Sequence, residues 1–270
     1  MLKLRLFLIF FLFFLNFINL NSLNILFISQ NYKNESDFID DSKRFIEEII
    51  NFNPVCQYLE HINFYYIFES KILSKDKDFD NFEISNEKFF GLINRIEIKI
   101  DLAILIINSK KTDSKGGTIG ENNFPVIVIT NNAKKRIILH ELSHSLFNLG
   151  DEYEGDIKKL PLEIKFKNLS LNNKDNSEWD YIKKLLNEND FSNYEGGLSR
   201  KKGIYRPYKD CLMRDIEKDL CPVCFYYAVK ILNDLTKENK NFLDLINKNC
   251  KIEIKEINLK KVSMTSKDIF

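Results

Sequence analysis

Apolar and polar positions change period several times along the chain, and each change marks an element. Leu6 to Leu15 is an unbroken apolar run, entered from Lys3 and Arg5 and weakened afterwards by Asn16 and Asn19. Residues 24–29 (Asn-Ile-Leu-Phe-Ile-Ser) predict a strand. Phe38, Phe45 and Ile49 recur at helical spacing and predict a helix over 35–51, with Asn34 placed to cap it. Residues 62–68 predict another strand. Ile96–Ile100 alternates apolar and polar, the mark of a half-buried strand. Leu102–Ile107 is continuously apolar, as a strand buried on both faces is. Residues 109–123 predict a polar, glycine-containing loop, Phe124–Thr130 a strand, and Asn132 the cap of a helix running to about Asn148. Residues 151–210 are irregular and polar, with a short helix near Trp179–Leu186. A last helix starts near Cys224, with Phe225, Val229, Leu232 and Leu235 on one face. Beyond Cys250 no pattern is clear. No internal repeat is visible. Strands and helices alternate through the first half, so the expected class is α/β or α+β with an open sheet.

The first apolar run reads as an address. Ten apolar residues rise about 15 Å as a helix, half of the roughly 30 Å hydrocarbon core. A positive start, a short apolar stretch and a polar exit predict an export signal over residues 1–22, with an uncleaved membrane anchor as the rival. No Cys follows the run, which argues against a lipoprotein. Export makes disulfides permissible. The 270 residues carry 40 Lys+Arg against 39 Asp+Glu, a net charge of +1, which excludes a broad electrostatic grip on nucleic acid. With 44% hydrophobic and 29% charged residues the chain is globular, not disordered.

The candidate chemistry lies in His140-Glu141-Leu142-Ser143-His144. Positions i and i+4 of a helix lie one turn apart on one face, so both imidazoles can reach one ion. Glu141 is rotated about 100° from His140, near the ion without binding it, where a base can take a proton from water. Ile138, Leu142 and Leu146 form an apolar stripe that puts the histidines on an adjacent face. Two of the chain's three histidines fall in this motif, which makes incidental surface histidines a poor account of it. A hydrolytic zinc site takes three protein ligands and one open position. The helix is expected to end at Asn148-Leu149-Gly150, where Asn or Gly can turn the chain back. Asp151 is then the expected third ligand, with Glu152 in reserve; the competing reading is that both are solvated acids or outer partners of a ligating histidine. His61, far off in the sequence, is a poor rival ligand.

His140-Glu-Leu-Ser-His-Ser-Leu-Phe-Asn-Leu-Gly-Asp-Glu-Tyr153 closely resembles the HExxHSxxGLxDEY block of the immunoglobulin A peptidase family of zinc metallopeptidases. Tyr194-Glu195-Gly196-Gly197, Gly203-Ile-Tyr-Arg-Pro207, Cys211-Leu-Met-Arg214 and Cys221-Pro-Val-Cys224 are similar to that family's later blocks, in the same order. Residues 28–52 are similar to its opening strand and helix, with Tyr32 matching a family tyrosine. Asn148 stands where the family usually has Gly, and Gln30 and Asn31 replace glycines near Tyr32. The spacing differs from that of metzincins, which carry Gly at the position of Phe147 and the third ligand at that of Gly150.

The resemblance implies a zincin-like fold, with a twisted mixed sheet, an active-site helix and a C-terminal part beneath the metal, over residues 23–250, followed by a tail at 251–270. It implies a Met-turn-like role for Met213. The expected activity is zinc-dependent hydrolysis of peptide bonds by an exported protein, with Zn2+ on His140, His144 and Asp151, Glu141 as base, and Tyr205 or Arg206 as helpers at the oxyanion. Glu195 is expected to orient a ligand or line the cleft. The partner is a peptide or protein substrate, with membrane contact only through the N-terminal segment. Two other classes remain, a non-catalytic secreted binding module and a zinc amidase acting on cell-wall peptide; an intact Glu141 argues against the first. Cys211 is expected to form a disulfide with Cys221 or Cys224; a structural zinc site is the alternative, with three of four ligands in view. Cys56 and Cys250 either pair or stay free. The glycines of 116–120 read as a flexible rim, and strand Phe124–Thr130 as the edge along which an extended peptide can bind.

Overall fold

The computed structural model describes residues 22–68, 84–171, 177–188, 192–252 and 258–262. The expected export signal lies outside the described residues, apart from Ser22. Among the described residues no helix is long and apolar enough to cross a membrane.

A six-stranded sheet forms the frame. Its strands are β1 (Leu23–Gln30), β2 (Ile62–Ile67), β3 (Leu102–Ile107), β4 (Ser114–Ile119), β5 (Phe124–Thr130) and β8 (Leu259–Lys261), in the order β4-β5-β3-β1-β2-β8. All neighbours are parallel except β4, which runs antiparallel to β5 at one edge. The fold is therefore mixed α+β with a mostly parallel sheet. β1 and β3 are buried along their whole length, which explains their apolar runs. Successive side chains point to opposite faces. Leu23, Ile25 and Phe27 enter the larger core with Leu102, Ile104 and Ile106, while Leu26 and Ile28 enter the smaller with Ala103 and Leu105.

Helices pack into the larger core. α1 (Glu35–Ile50) buries Phe38, Phe45 and Ile49, and the Asn34 side chain caps it by accepting from the Asp37 N–H. α3 (Ile137–Ser145) buries Ile138 and Leu142, and α5 (Pro222–Thr236) buries Phe225, Val229 and Leu232. Burying each such side chain contributes about 1.5–3 kcal/mol, so the sheet and the neighbouring helices hold α3 firmly. The smaller core is covered by α2 (Asn86–Ile93), through Phe89 and Leu92. Helix α4 (Ser177–Leu185) places Trp179 in the larger core, and a short helix, α6 (Phe242–Leu245), adds Phe242 and Leu245. Strands β6 (Tyr194–Gly197) and β7 (Arg200–Arg206) form a separate hairpin.

Several expectations are corrected. Residues 96–100 form no strand, being irregular with a bend at 97–98; Ile96 and Ile100 are buried because they belong to the smaller core. The stretch read as a loop at 109–123 contains β4. Its pattern Ser-Lys-Gly-Gly-Thr-Ile is barely apolar because the strand is an edge. Strand β5 is consequently interior, so the sheet edge beside α3 is β4, not Phe124–Thr130. Asn132 does not cap α3, which starts five residues later after turns at 131–136; its side chain instead donates to the Ser109 carbonyl. Part of the expected tail, β8, pairs with β2.

Candidate metal centre

The site is built on α3 and the chain reversal after it. Arg136 ties the start of α3 to the loop before α5, donating from Nε to the Ile216 carbonyl at 2.9 Å and from Nη2 to that of Lys218 at 2.7 Å. The helix ends at Ser145, and Asn148 takes the left-handed conformation at φ 52°. Asn tolerates that region better than most residues. The reversal is closed by the Leu149 N–H donating to the Ser143 carbonyl at 3.1 Å. It returns Asp151 to the imidazoles, as the sequence predicts.

His140 Nε2, His144 Nε2 and Asp151 Oδ1 meet at one point. The two nitrogens are 2.9 Å apart, and Asp151 Oδ1 lies 3.1 Å from His140 and 3.0 Å from His144. The imidazole planes are nearly perpendicular, at 89°. The other ring nitrogens are committed. His144 Nδ1–H donates to the Leu149 carbonyl at 2.6 Å, and His140 Nδ1–H to the Leu212 carbonyl at 3.2 Å. A carbonyl only accepts, so each Nδ1 carries the proton, and Nε2 is the nitrogen each ring turns toward Asp151. Two imidazole nitrogens and a carboxylate oxygen therefore converge, a group that could hold a metal ion when both rings are neutral. The donor set fits zinc: bonds of about 2.0–2.1 Å with tetrahedral angles require ligand separations of about 3.3 Å. Without a metal, a proton must serve. Burial pushes His144 down, but the hydrogen bond and charge of Asp151 push it up further, and its net shift is upward. Burial likewise raises the Asp151 carboxyl, and hydrogen bonds from both histidines overcome that to hold it well below the usual carboxylate range.

Glu141 is buried beside this cluster, and its Oε1 accepts from Ser114 Oγ of β4 at 2.7 Å. The contact depends on close packing of β4 on α3. A Cβ on Gly116 would lie 2.3 Å from the Glu141 carbonyl oxygen, so only glycine fits there. Ser145 Oγ secures the same seam, accepting from the Gly117 N–H at 2.8 Å. Asn168 is fully buried and locks the reversal: it accepts from Gly150 N–H and donates to both the Gly150 carbonyl and Glu152 Oε1, at 2.8, 2.9 and 2.9 Å. Tyr153 is 41% exposed at the rim. Burial first, then the charge of Asp151 and a hydrogen bond to it, raise its phenol. Ser114, Asn168 and Tyr153 were not singled out from the sequence. Tyr153 had a signal, its place in the His140–Tyr153 block; Ser114 and Asn168 had none, because their partners are distant along the chain.

Other candidates fall elsewhere. Glu152 is fully buried and points away from the histidines, toward Cys224 and Asn168. Arg206 is buried and engaged by the Glu195 and Gly196 carbonyls, at 2.8 Å each, and by Glu154 at 3.3 Å. It braces the hairpin instead of facing the three ligands. Tyr205 is half-buried on β7, its backbone paired with Ser170 and Glu195. Glu195 accepts from the Gly203 N–H at 2.8 Å and steadies the same hairpin. His61 is paired with Glu238 at 2.9 Å. Met213 is buried in the turn whose Leu212 carbonyl supports His140, and its own carbonyl accepts from the Glu152 N–H at 2.8 Å. The expected disulfide from Cys211 is not formed: Cys211, Cys221 and Cys224 are buried free thiols. Cys56 and Cys250 sit at disulfide distance, with Cα atoms 6.1 Å apart. No family model matches the chain, and no curated protein matches it either.

Proposed function

We propose that the protein is a zinc-dependent peptidase, related to the immunoglobulin A peptidase family and zincin-like in fold, that works on peptide or protein substrates outside the cytoplasm. One observation carries the reading: His140 Nε2, His144 Nε2 and Asp151 Oδ1 converge within 3.1 Å of one another, and the buried Glu141 carboxylate stands beside them. His140, His144 and Asp151 hold the ion. A zinc ion there supplies Lewis-acid polarisation of a carbonyl and makes a water more acidic. Glu141, fixed by the Ser114 hydroxyl, accepts the water proton and delivers it to the leaving amine. The Leu212 and Leu149 carbonyls keep both rings in the tautomer that presents Nε2. Tyr153, exposed and next to Asp151, is better placed than Tyr205 or Arg206 to donate to a developing oxyanion. The antiparallel edge strand β4 along α3 supports the zincin-like reading and offers an extended peptide a strand to pair with.

The test is metal analysis of the purified protein together with turnover of a mixed peptide library. Hydrolysis that disappears in Glu141→Gln, with metal kept at the histidines, supports the reading. Metal binding without turnover in the wild type refutes it in favour of a binding module, and cleavage confined to cell-wall peptides refutes it in favour of an amidase.

A further inference from the structure

A second cluster lies behind the first, and it is fully enclosed. Cys211, Cys221, Cys224 and Glu152 bring one ligand atom each to within 4.8 Å of one another, and all four residues are buried. Cys221 and Cys224 form a C-x-x-C pair at the start of α5, with Cys221 as its N-cap residue. Cys211 comes from the turn just before Met213, and Glu152 from the reversal just after Asp151. The separations suit coordination. Cys211 Sγ and Cys224 Sγ are 3.6 Å apart, and Cys224 Sγ is 3.3 Å from Glu152 Oε1. Tetrahedral zinc, with Zn–S near 2.3 Å and Zn–O near 2.0 Å, needs about 3.8 Å between sulfurs and about 3.5 Å between sulfur and oxygen.

A second observation points the same way. Glu152 Oε2 is buried with no hydrogen-bond partner. A carboxylate oxygen left so inside a protein is costly unless a cation or proton meets it. The Cys224 thiol donates to Glu152 Oε1 and the Cys211 thiol to Cys224 Sγ, but neither contact reaches Oε2. We propose that Glu152, Cys211, Cys221 and Cys224 form a closed, structural zinc site, separate from the histidine site. The sequence puts three of these ligands in view; the fold supplies the fourth. On loading, the thiol protons pass to solvent and the thiolates bind. The resulting cluster is anionic, and the buried Arg206 guanidinium, which interacts electrostatically with Glu152, offsets part of that charge. The ion would clamp three segments together: the reversal carrying Asp151, the turn whose Leu212 carbonyl supports His140, and the start of α5.

The proposal does not depend on the first site being catalytic, and its test keeps the two apart. The full chain, purified without chelator, is expected to carry two zinc ions. His140→Ala/His144→Ala is expected to keep one. Exchange into cobalt reports the ligands, because thiolate-to-cobalt charge transfer absorbs strongly in the near ultraviolet and imidazole or carboxylate ligation does not. That band is expected in the wild type and the histidine variant and absent from Cys221→Ser/Cys224→Ser, which loses one metal. If the cysteine variant does not fold, the wild-type and histidine-variant spectra decide alone. Folded, cobalt-saturated protein without the band overturns the proposal. So does an intact mass short of two hydrogens beyond those of the Cys56–Cys250 bond, which would make the cluster a disulfide. Unchanged metal affinity in Glu152→Ala would overturn the role of Glu152.

Discussion

Asp151 and Glu152 are adjacent in the chain and enter opposite environments. Asp151 joins two imidazoles, and its side chain keeps 25% of its exposure; Glu152 joins three sulfurs with none. The first set is nitrogen and oxygen and partly exposed, as the proposed hydrolytic site requires. The second is mostly sulfur and sealed, the pattern of a site that holds segments together. The backbone between the two carboxylates cannot move for one without disturbing the other. If the sealed cluster binds its ion as proposed, it fixes the backbone that carries Asp151.

Chelation should separate the regions most sharply. The open site is expected to release its ion first, so hydrolysis falls to background while the thermal midpoint changes little. Prolonged chelation then strips the sealed cluster and lowers the midpoint strongly. If activity and midpoint collapse together at the first stage, the two regions are one cooperative unit.

The next largest effect belongs to Glu141→Gln. Loss of a positioned base is worth about 10²–10⁴ in rate. Zinc stoichiometry and thermal midpoint are expected to hold, because Glu141 is not a ligand. A variant that loses metal together with activity would make Glu141 part of the cage.

Gly116→Ala tests the seam between β4 and α3. Its Cβ would lie 2.3 Å from the Glu141 carbonyl and 2.8 Å from Ser145 Oγ. Backbone cannot yield as a side-chain tip does, so a loss of about 1–3 kcal/mol is expected in denaturant unfolding. Gly117, with open space at its Cβ, is the control: Gly117→Ala is expected to cost much less.

The contrast between the clusters also separates what the sequence carries from what only the fold carries. Both imidazoles and Asp151 were legible, because helix periodicity and one turn fix their relation locally. The C-x-x-C pair was legible for the same reason. Glu152 was legible only as a spare ligand for the wrong site, since the direction of its side chain depends on Asn168 and on Met213, 61 residues away, whose carbonyl takes the Glu152 N–H. β1, β3 and β5 announce themselves by apolar runs buried on both faces. β4 does not, because an edge strand half in solvent needs few apolar residues and close packing on a helix asks for glycine. The hairpin β6–β7 hid behind turn residues at unusual φ, Leu198 at 48° and Ser199 at 57°, where Asn or Gly is the usual signal.

The smallest effect expected is at Ser114, and it bears on how far the open site is pre-set before substrate arrives. Ser114 Oγ donates to Glu141 Oε1 at 2.7 Å from a strand that contributes no metal ligand. A hydrogen bond to a charged group is worth about 1.5–3 kcal/mol, but a water can replace a lost hydroxyl near an open cleft, so the net change should be smaller. Ser114→Ala is expected to lower kcat about tenfold at most, with metal content and thermal midpoint unchanged. Ser114→Thr, which keeps the hydroxyl, should restore most of the rate. If Ser114→Ala instead reduces metal content, β4 supports the ligands themselves, and the division between a strand that holds the base and a reversal that holds the ion is wrong.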